Sequence, residues 1–216
     1  MTQAIVFDLD GTLIDSAPDL HVALNLVLQD EAALPATLAE TIACIGHGIP
    51  NLVRLAREAR RIPPERQAAM TEGMFRHYLA SPSALTRPYP GVVETLSALQ
   101  DQGFALGLCT NKALAPTEQI LDALNLRHFF GVVIGGDSLP QKKPDPAPLH
   151  ATFAALGTPL LYVGDSEVDA ETAVAAGVDF ALYTQGYRKT PVEALAHRIA
   201  FDDFAALLPQ LSTLGV

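Results

Sequence analysis

The feature of this sequence that most constrains its fold is the alternation of short apolar runs with longer amphipathic stretches. The apolar runs cover residues 4–7, 105–109, 132–134, 160–163 and 180–183. Their length and their lack of polar alternation predict strands that are buried on both faces of a parallel sheet. Helical patterns lie between them, over residues 91–102, 115–124, 146–156 and 168–176. This order predicts an α/β fold with a doubly wound parallel sheet, that is, a Rossmann-like core.

Each of these helical patterns is followed by a residue that suits a left-handed backbone. The residues are Gly103, Asn125, Gly157 and Gly177. Glycine and asparagine adopt a positive φ at little cost, and helices commonly end next to such a residue. These positions therefore predict where the core helices end.

The stretch between the first two apolar runs breaks the alternation, since residues 15–87 contain no convincing strand. Helical patterns cover residues 16–28, 37–44, 49–60 and 64–80. Ser16 and Asp19 have the spacing of a capping box at the start of the first of these helices. We therefore predict an all-helical cap domain over residues 15–87. It is inserted into a core domain of residues 1–14 and 88–216, and it covers the carboxyl edge of the core sheet.

Composition limits the functions that the chain can have. With 216 residues, 49% of them hydrophobic, it is long enough for one sizeable core and a smaller appended unit. The formal net charge of −10 argues against a nucleic acid partner, because such a partner requires a basic face. No apolar segment suits a signal peptide or a membrane span, so we expect no membrane partner and a cytoplasmic location. The sequence leaves open whether the chain acts as a monomer or as a homodimer.

Polar side chains follow three of the predicted strands at the point where each strand ends. They are Asp8, Asp10 and Thr12, together with Gly11, after the first strand, Thr110, Asn111 and Lys112 after the second, and Asp165, Ser166 and Asp169 after the fourth. Lys143 lies in the loop that follows the third strand. The carboxyl ends of parallel strands share one edge, and ligands bind there near the point where the strand order reverses. We therefore expect these residues to form one site.

The carboxylates in this set predict a metal ion. Asp8 and Asp10 are two residues apart, so that in an extended segment both side chains point to the same side, and Asp165 adds a third carboxylate. Like charges at such short distances require a cation. Oxygen ligands without histidine or cysteine favour Mg²⁺, which is the predicted cofactor.

The same site has the groups that phosphoryl transfer requires, namely a nucleophile, an acid and positive charge around the phosphate. Asp8 and Asp10 supply a nucleophile and an acid/base, Thr110 a hydroxyl donor and Lys143 a fixed charge. Lys142 is the alternative to Lys143.

The turn after the first strand has two interpretations. The backbone N–H groups of Gly11 and Thr12 are placed to cradle an anion there. The alternative is that the aspartates only stabilise an ordinary turn through side-chain hydrogen bonds to the backbone.

Residues 8–16 resemble the first motif of the haloacid dehalogenase-like hydrolases, and the other motifs of that family follow in order. They are Thr110 in Cys-Thr-Asn, Lys143 in Lys-Lys-Pro-Asp-Pro, and Asp165 in Gly-Asp-Ser-x-x-Asp. The resemblance spans most of the chain.

It implies that Asp8 is the nucleophile and that Asp10 is the general acid/base. It also implies that Asp8, the main-chain carbonyl of Asp10, and Asp165 bind Mg²⁺. Asp169 and Ser166 would then support the metal and its waters, and Asn111 would help to bind the substrate.

The cap narrows the expected substrate to a small phosphate ester. Asp10 favours a phosphatase or phosphomutase over a dehalogenase, because a dehalogenase has no leaving alkoxide to protonate.

Residues 15–20 and the loop 45–48 resemble those of phosphoglycolate phosphatases. In that loop, Gly46 and Gly48 on either side of His47 let backbone N–H groups approach a small carboxylate, and Arg54 or Arg57 could add a charge.

The resemblance therefore predicts hydrolysis of 2-phosphoglycolate through an aspartyl-phosphate. The alternatives are a broad-range sugar or nucleotide phosphatase, a β-phosphoglucomutase-like enzyme, and a non-catalytic phosphate-binding protein.

Overall fold

A computed structural model describes residues 2–80 and 83–211 of the chain. Its strands are β1 (Gln3–Phe7), β2 (Ile14–Asp15), β3 (Arg87–Pro88), β4 (Ala105–Cys109), β5 (Val132–Ile134), β6 (Thr158–Gly164), β7 (Phe180–Tyr183) and β8 (Ile199–Phe201). Its helices are α1 (Ala17–Asp30), α2 (Leu38–Ala43), α3 (Ile49–Ala59), α4 (Gln67–Ala80), α5 (Val92–Asp101), α6 (Leu114–Ala123), α7 (Ala147–Leu156), α8 (Glu167–Ala176) and α9 (Leu207–Leu211). Among these residues, no helix is both long enough and apolar enough to cross a membrane.

Six of the strands form one parallel sheet in the order β5-β4-β1-β6-β7-β8. After β1 the chain adds β4 and β5 on one side, and then returns to add β6, β7 and β8 on the other. The strand order therefore reverses around β1, and a ligand site is expected at the carboxyl end of that strand. This architecture confirms the predicted doubly wound α/β fold.

The central strands are apolar on both faces because helices cover both faces. In β1, Ile5 and Phe7 belong to one buried cluster, and Ala4 and Val6 belong to the cluster on the opposite face. All five predicted strands are present, but the prediction missed the two-residue strands β2 and β3 and, in the parallel sheet, β8. That strand has only three residues, and its middle residue, Ala200, is exposed, so it lacks the continuous apolar run that marked the others.

The predicted helix ends are confirmed by the backbone of the core. Gly103, Asn125, Gly157 and Gly177 all have positive φ. At Gly177 the left-handed residue directly caps α8, and its N–H group donates to the carbonyls of Ala173 and Val174. The choice of residue at each position therefore follows from the cost of a positive φ for other side chains.

The helices α1 to α4 lie between β2 and β3, a two-stranded antiparallel pair in which Ile14 pairs with Pro88 and Asp15 with Arg87. This helical insertion confirms the predicted cap. The division of the chain at residues 14/15 and 87/88 stays a proposal, and Met1, residues 81–82 and residues 212–216 lie outside the described residues.

The predicted capping box at Ser16 and Asp19 is wrong. The Ser16 side chain makes no hydrogen bond to the first turn of α1, and it donates instead to Asp10. Asp19 accepts hydrogen bonds from the N–H groups of Leu85 and Thr86, and from the Thr86 hydroxyl. Ser16 therefore serves the turn that holds Asp10, and Asp19 fastens α1 to the chain returning from the cap.

Candidate active site

The strand register brings the predicted site residues to one edge of the sheet. Phe7 pairs with Leu108 on one side and with Val163 on the other, so the residues that follow these strands lie side by side. Asp8, Thr110 and Asp165 are all buried at this edge, with exposed fractions of 8%, 4% and 1%. Three segments that are far apart in the sequence therefore meet at the carboxyl end of β1.

Lys143 lies at the centre of the buried charges. Its Nζ is 2.9 Å from Asp8 Oδ1 and 2.6 Å from Asp169 Oδ1, and it donates to the hydroxyl of Tyr162 at 2.8 Å. Lys142 is exposed, and none of the contacts described for Asp8 involves it. The structure therefore places Lys143 rather than Lys142 against Asp8, and the role of Lys143 toward the phosphate stays a prediction.

Burial and these ion pairs shift the pKa values of the group. Burial raises the pKa of Asp8 to about 6 despite the opposing charge of Lys143. Burial favours a lower pKa for Lys143, but the attraction of Asp169 and Asp8 outweighs it and the pKa lies above its ordinary value. Burial also opposes the charge of Asp169, yet Lys143 and the hydrogen bonds of Ser166 and Tyr162 hold its pKa below the ordinary value. Asp8 is therefore largely ionised at neutral pH.

Asp8, Asp165 and Asp169 have the arrangement of a cation site. One carboxylate oxygen from each lies within 4.8 Å of the others, and all three residues are buried. Burial and the charges of Asp169 and Asp8 raise the pKa of Asp165 well above its ordinary value. Among the described residues, no group donates a well-aligned hydrogen bond to Asp8 Oδ1, although Lys143 lies close to it. A buried set of oxygen ligands with an unsatisfied oxygen fits a hard divalent cation.

Asp169 is more fully engaged than the other two carboxylates. In addition to Lys143 and Tyr162, it accepts hydrogen bonds from the N–H group and the hydroxyl of Ser166 at the start of α8. This pattern is a capping box in which the carboxylate of Asp169 also holds the loop after β6. Asp169 and Ser166 therefore fix the position of Asp165 from the helix behind it.

The Asp10 side chain bonds Ser16 and Lys112 and is not part of the carboxylate cluster. Its Oδ1 accepts a hydrogen bond from Ser16 Oγ at 2.5 Å, and Lys112 Nζ lies 3.0 Å from both of its carboxylate oxygens. Lys112 is itself buried, with an exposed fraction of 6%. The sequence analysis assigned no role to Lys112. The signal that could have found it is its position, two residues beyond Thr110 in a segment already placed at the site.

The predicted anion cradle at Gly11 and Thr12 is not supported by this structure. The N–H group of Gly11 donates to the carbonyl of Ile14, and that of Thr12 donates to the carbonyl of Leu9. The Thr12 hydroxyl donates to Asp165 Oδ1 at 2.7 Å. Gly11 has a φ of +88°, and a Cβ there would collide with the Asp165 carboxylate. Gly11 and Thr12 therefore both support Asp165. Position 11 requires glycine because the Asp165 carboxylate packs directly against it.

The cap loop contacts the core through Asn111. The Asn111 amide group donates to the carbonyls of Gly46 and Lys143, each at 3.0 Å, and accepts from the N–H group of Lys143 at 3.0 Å. One side chain therefore joins the cap loop to the loop that holds Lys143. Gly46 and Gly48 line a cavity above Asp8 and Asp10, whereas His47 is exposed and lines a second cavity that also reaches these aspartates.

Neither Arg54 nor Arg57 lines these cavities. Arg54 pairs with Glu58 at 2.8 Å on the surface of α3. Arg57 is buried, and its guanidinium group donates to the side chain of Gln67 and to the carbonyl of Ile62. Both guanidinium groups are used within the cap, so the hypothesis that one of them binds a substrate carboxylate has no support.

Tyr187 connects Asp165 of the carboxylate cluster to the start of the cap. Its hydroxyl accepts hydrogen bonds from the N–H groups of Ser16 and Ala17 and donates to Asp15 at 2.7 Å. Its own N–H group donates to Asp165 Oδ2 at 2.6 Å. The sequence analysis gave this residue no role, because the three partners of its hydroxyl are 170 to 172 residues away in the sequence.

The fold and this site define the class of protein. The sequence profile of the haloacid dehalogenase-like hydrolase family matches residues 5–183, a span that contains every motif residue described above. The chain therefore belongs to the haloacid dehalogenase-like hydrolases.

Individual relatives are similar over nearly the whole chain. A phosphoglycolate phosphatase from Cereibacter sphaeroides is 50% identical over 213 residues, which cover 96% of this chain and 98% of that protein. A phosphoglycolate phosphatase from Rhodospirillum rubrum is 40% identical and covers 96% of this chain and 90% of its own length. The crystal structure of a predicted phosphoglycolate phosphatase from Haemophilus somnus 129PT superposes with a TM-score of 0.92 at 33% identity, covering 96% of this chain and 97% of that one.

Proposed function

We propose that this chain is a Mg²⁺-dependent phosphatase that hydrolyses 2-phosphoglycolate to glycolate and phosphate. The observation that carries the proposal is the position of Asp8 at the end of β1. It is buried beside Lys143 and beside two further carboxylates, below a cavity covered by the cap. The identity of 50% to a phosphoglycolate phosphatase supports the choice of substrate.

Asp8 is the nucleophile in this mechanism. Its carboxylate attacks phosphorus, and the bond between phosphorus and the ester oxygen breaks, which leaves an aspartyl-phosphate on Asp8 and releases glycolate. A pKa of about 6 leaves the carboxylate ionised at neutral pH. Lys143, 2.9 Å from Asp8 Oδ1, attracts the phosphate oxygens, and the Thr110 hydroxyl is placed to donate to one of them.

Asp10 transfers the protons. In the first step it protonates the ester oxygen of the departing glycolate, which would otherwise leave as an unstable alkoxide. In the second step the carboxylate of Asp10 takes a proton from water as the water attacks the aspartyl-phosphate. Phosphate leaves and the Asp8 carboxylate is restored. Ser16 and Lys112 hold Asp10 beside the cavity throughout.

Asp8, the main-chain carbonyl of Asp10, and Asp165 would hold the metal, with Asp169 and Ser166 supporting Asp165. When bound, Mg²⁺ supplies positive charge for the carboxylates and for the phosphate oxygens. The carboxylates fit this ion because they are hard oxygen ligands and Lys143 offsets only part of their mutual repulsion. We expect the reaction to take place in the cytoplasm on a small phosphate ester.

The test is Mg²⁺-dependent phosphate release from a panel of esters, namely 2-phosphoglycolate, hexose phosphates and nucleoside monophosphates. We expect kcat/KM for 2-phosphoglycolate to exceed the others by about 100-fold, or about 3 kcal/mol of transition-state discrimination. A flat profile would leave a broad-range phosphatase. Isomerisation of a hexose phosphate without net phosphate release would identify a mutase.

Two variants test the assignment of the nucleophile. Asp8→Asn should abolish turnover of every ester while the protein stays folded, because an amide cannot attack phosphorus. Asp122→Asn is the matched control, since it removes the same charge from an exposed position on α6. Wild-type turnover in Asp8→Asn would exclude the aspartyl-phosphate. Absence of turnover in the wild type would favour a non-catalytic phosphate-binding protein.

A further inference from the structure

Lys112 is a buried cation in the wall of the proposed active site. It follows β4 directly after Thr110 and Asn111, and its Nζ lies 3.0 Å from each carboxylate oxygen of Asp10. The Nζ also lies 4.6 Å from the centre of the Tyr78 ring, which belongs to α4 of the cap. Core and cap therefore hold this ammonium group from two sides, and its position is fixed before any ligand enters.

The cavity beside Lys112 has a volume of about 270 Å³, which suits a small ester. Asp8, Asp10, Thr110 and Lys112 form its core side. The cap contributes mainly apolar side chains, namely Leu20, Ile45, Ile49, Pro50, Leu52 and Phe75. Among the described residues that line this cavity, the cationic side chains are Lys112, which is buried, and Lys142, which is exposed.

The chemistry of 2-phosphoglycolate places its carboxylate close to Asp10. The carboxylate carbon is bonded directly to the carbon that carries the ester oxygen, and that oxygen must reach Asp10 to be protonated. A group that contacts both oxygens of Asp10 therefore lies within reach of the carboxylate. An ammonium group has three N–H donors, so Lys112 can bond Asp10 and still donate to a second carboxylate.

We propose that Lys112 binds the carboxylate of the substrate and thereby selects phosphate esters that carry a carboxylate next to the ester carbon. The proposal rests on the proposed function, since it names the residue that recognises the leaving group. A second carboxylate beside Asp8 and Asp10 requires a counter-charge in a buried site, and Lys112 supplies it. Arg54 and Arg57 do not supply this counter-charge, because both guanidinium groups bond partners within the cap.

The experiment compares 2-phosphoglycolate with ethyl phosphate, in which a methyl group replaces the carboxylate. In Lys112→Gln we expect kcat/KM for both esters to fall, because Asp10 loses a partner. The value for 2-phosphoglycolate should fall about 10- to 100-fold further, mainly through KM, which is the factor for one lost charge-assisted hydrogen bond. Arg54→Gln is the matched control, because it removes a cation from the exposed surface of α3 outside both cavities, and it should leave the ratio between the two esters unchanged.

Equal losses for both esters in Lys112→Gln would overturn the proposal, because Lys112 would then act only through Asp10. If that variant does not fold, Lys112→Arg decides. Arginine keeps the ion pair with Asp10, but its longer planar group cannot occupy the same point. We expect a raised KM for 2-phosphoglycolate only, and an unchanged KM would contradict the inference. Failure of the proposed function is distinguishable, since the wild type would then show no preference for 2-phosphoglycolate over ethyl phosphate.

Discussion

Replacement of Asp165 by asparagine should stabilise the protein in the absence of metal. Asp165 lies within 4.8 Å of Asp8 and Asp169, and burial together with their charges raises its pKa well above the ordinary value. At 4.8 Å and an effective dielectric constant near 20, two like charges repel by about 3.5 kcal/mol. Lys143 offsets part of this repulsion, so we expect a net gain of about 1–3 kcal/mol in the free energy of unfolding.

The substitution preserves the hydrogen bonds of the site. Asp165 now accepts from the Thr12 hydroxyl at 2.7 Å and from the N–H group of Tyr187 at 2.6 Å. In Asp165→Asn the amide oxygen can accept from Tyr187, and the amide N–H can donate to the Thr12 hydroxyl, which also accepts. The change in stability therefore reports the charge and not a lost contact.

The assay is thermal denaturation in EDTA and in excess MgCl₂. In EDTA, Asp165→Asn should raise Tm by about 2–12 °C, given about 2–4 °C per kcal/mol for a chain of this size. In Mg²⁺ at about 100 times its Kd, the wild type should gain about 2.7 kcal/mol and the variant far less. Asp122→Asn, which removes an exposed charge, should change neither value. The reasoning fails if Asp165→Asn is less stable than the wild type in EDTA, or if it retains the full gain from Mg²⁺.

Three further predictions concern the same site. The first concerns Asp8, whose pKa is raised from 3.8 to about 6. Between these two pH values the folded state binds a proton that the unfolded state has released. In EDTA the free energy of unfolding should therefore fall by up to about 3 kcal/mol as pH rises from about 4 to 7. Urea denaturation of the wild type and of Asp8→Asn measures this, and an equal pH dependence in both would contradict it. Gly186→Ala places a Cβ against Asp165 and should raise the Mg²⁺ concentration needed for activity, whereas Gly103→Ala, which meets no atom within 4 Å, should cost stability only. Lys143→Met leaves the buried carboxylates of Asp8 and Asp169 without their cation. It should lower the free energy of unfolding of the metal-free protein by about 3–5 kcal/mol, measured by urea denaturation. A loss below about 1 kcal/mol would argue against the ion pairs.

The sequence was sufficient to predict the central strands of the sheet because these strands are buried on both faces. Such strands have continuous apolar runs, and the polar residues that end them must lie at one edge. For this reason the sequence alone predicts that Asp8, Thr110 and Asp165 lie together. The short strand β8 lacked this signal, since it has three residues and an exposed centre.

Local patterns did not predict the partners of several polar groups. Ser16 and Asp19 have the spacing of a capping box, yet Ser16 donates to Asp10 and Asp19 accepts from residues 85 and 86. The N–H groups of Gly11 and Thr12 were expected to face an anion and instead close the turn. A polar group can bond several kinds of partner, and the spacing of residues in the sequence does not show which partner the folded chain supplies.

The sequence by itself determined the class of fold, the helix ends and the residues at the carboxyl edge of the sheet, because these depend on periodicity, on backbone preference and on the motifs within single segments. Only the tertiary structure decided that Lys112 pairs with Asp10 and that Tyr187 joins Asp165 to the start of the cap. It also decided that Arg57 is used within the cap. The physical reason is that the energy of a charge or a hydrogen bond depends on distance and burial, and these are fixed only when segments from separate parts of the chain pack together.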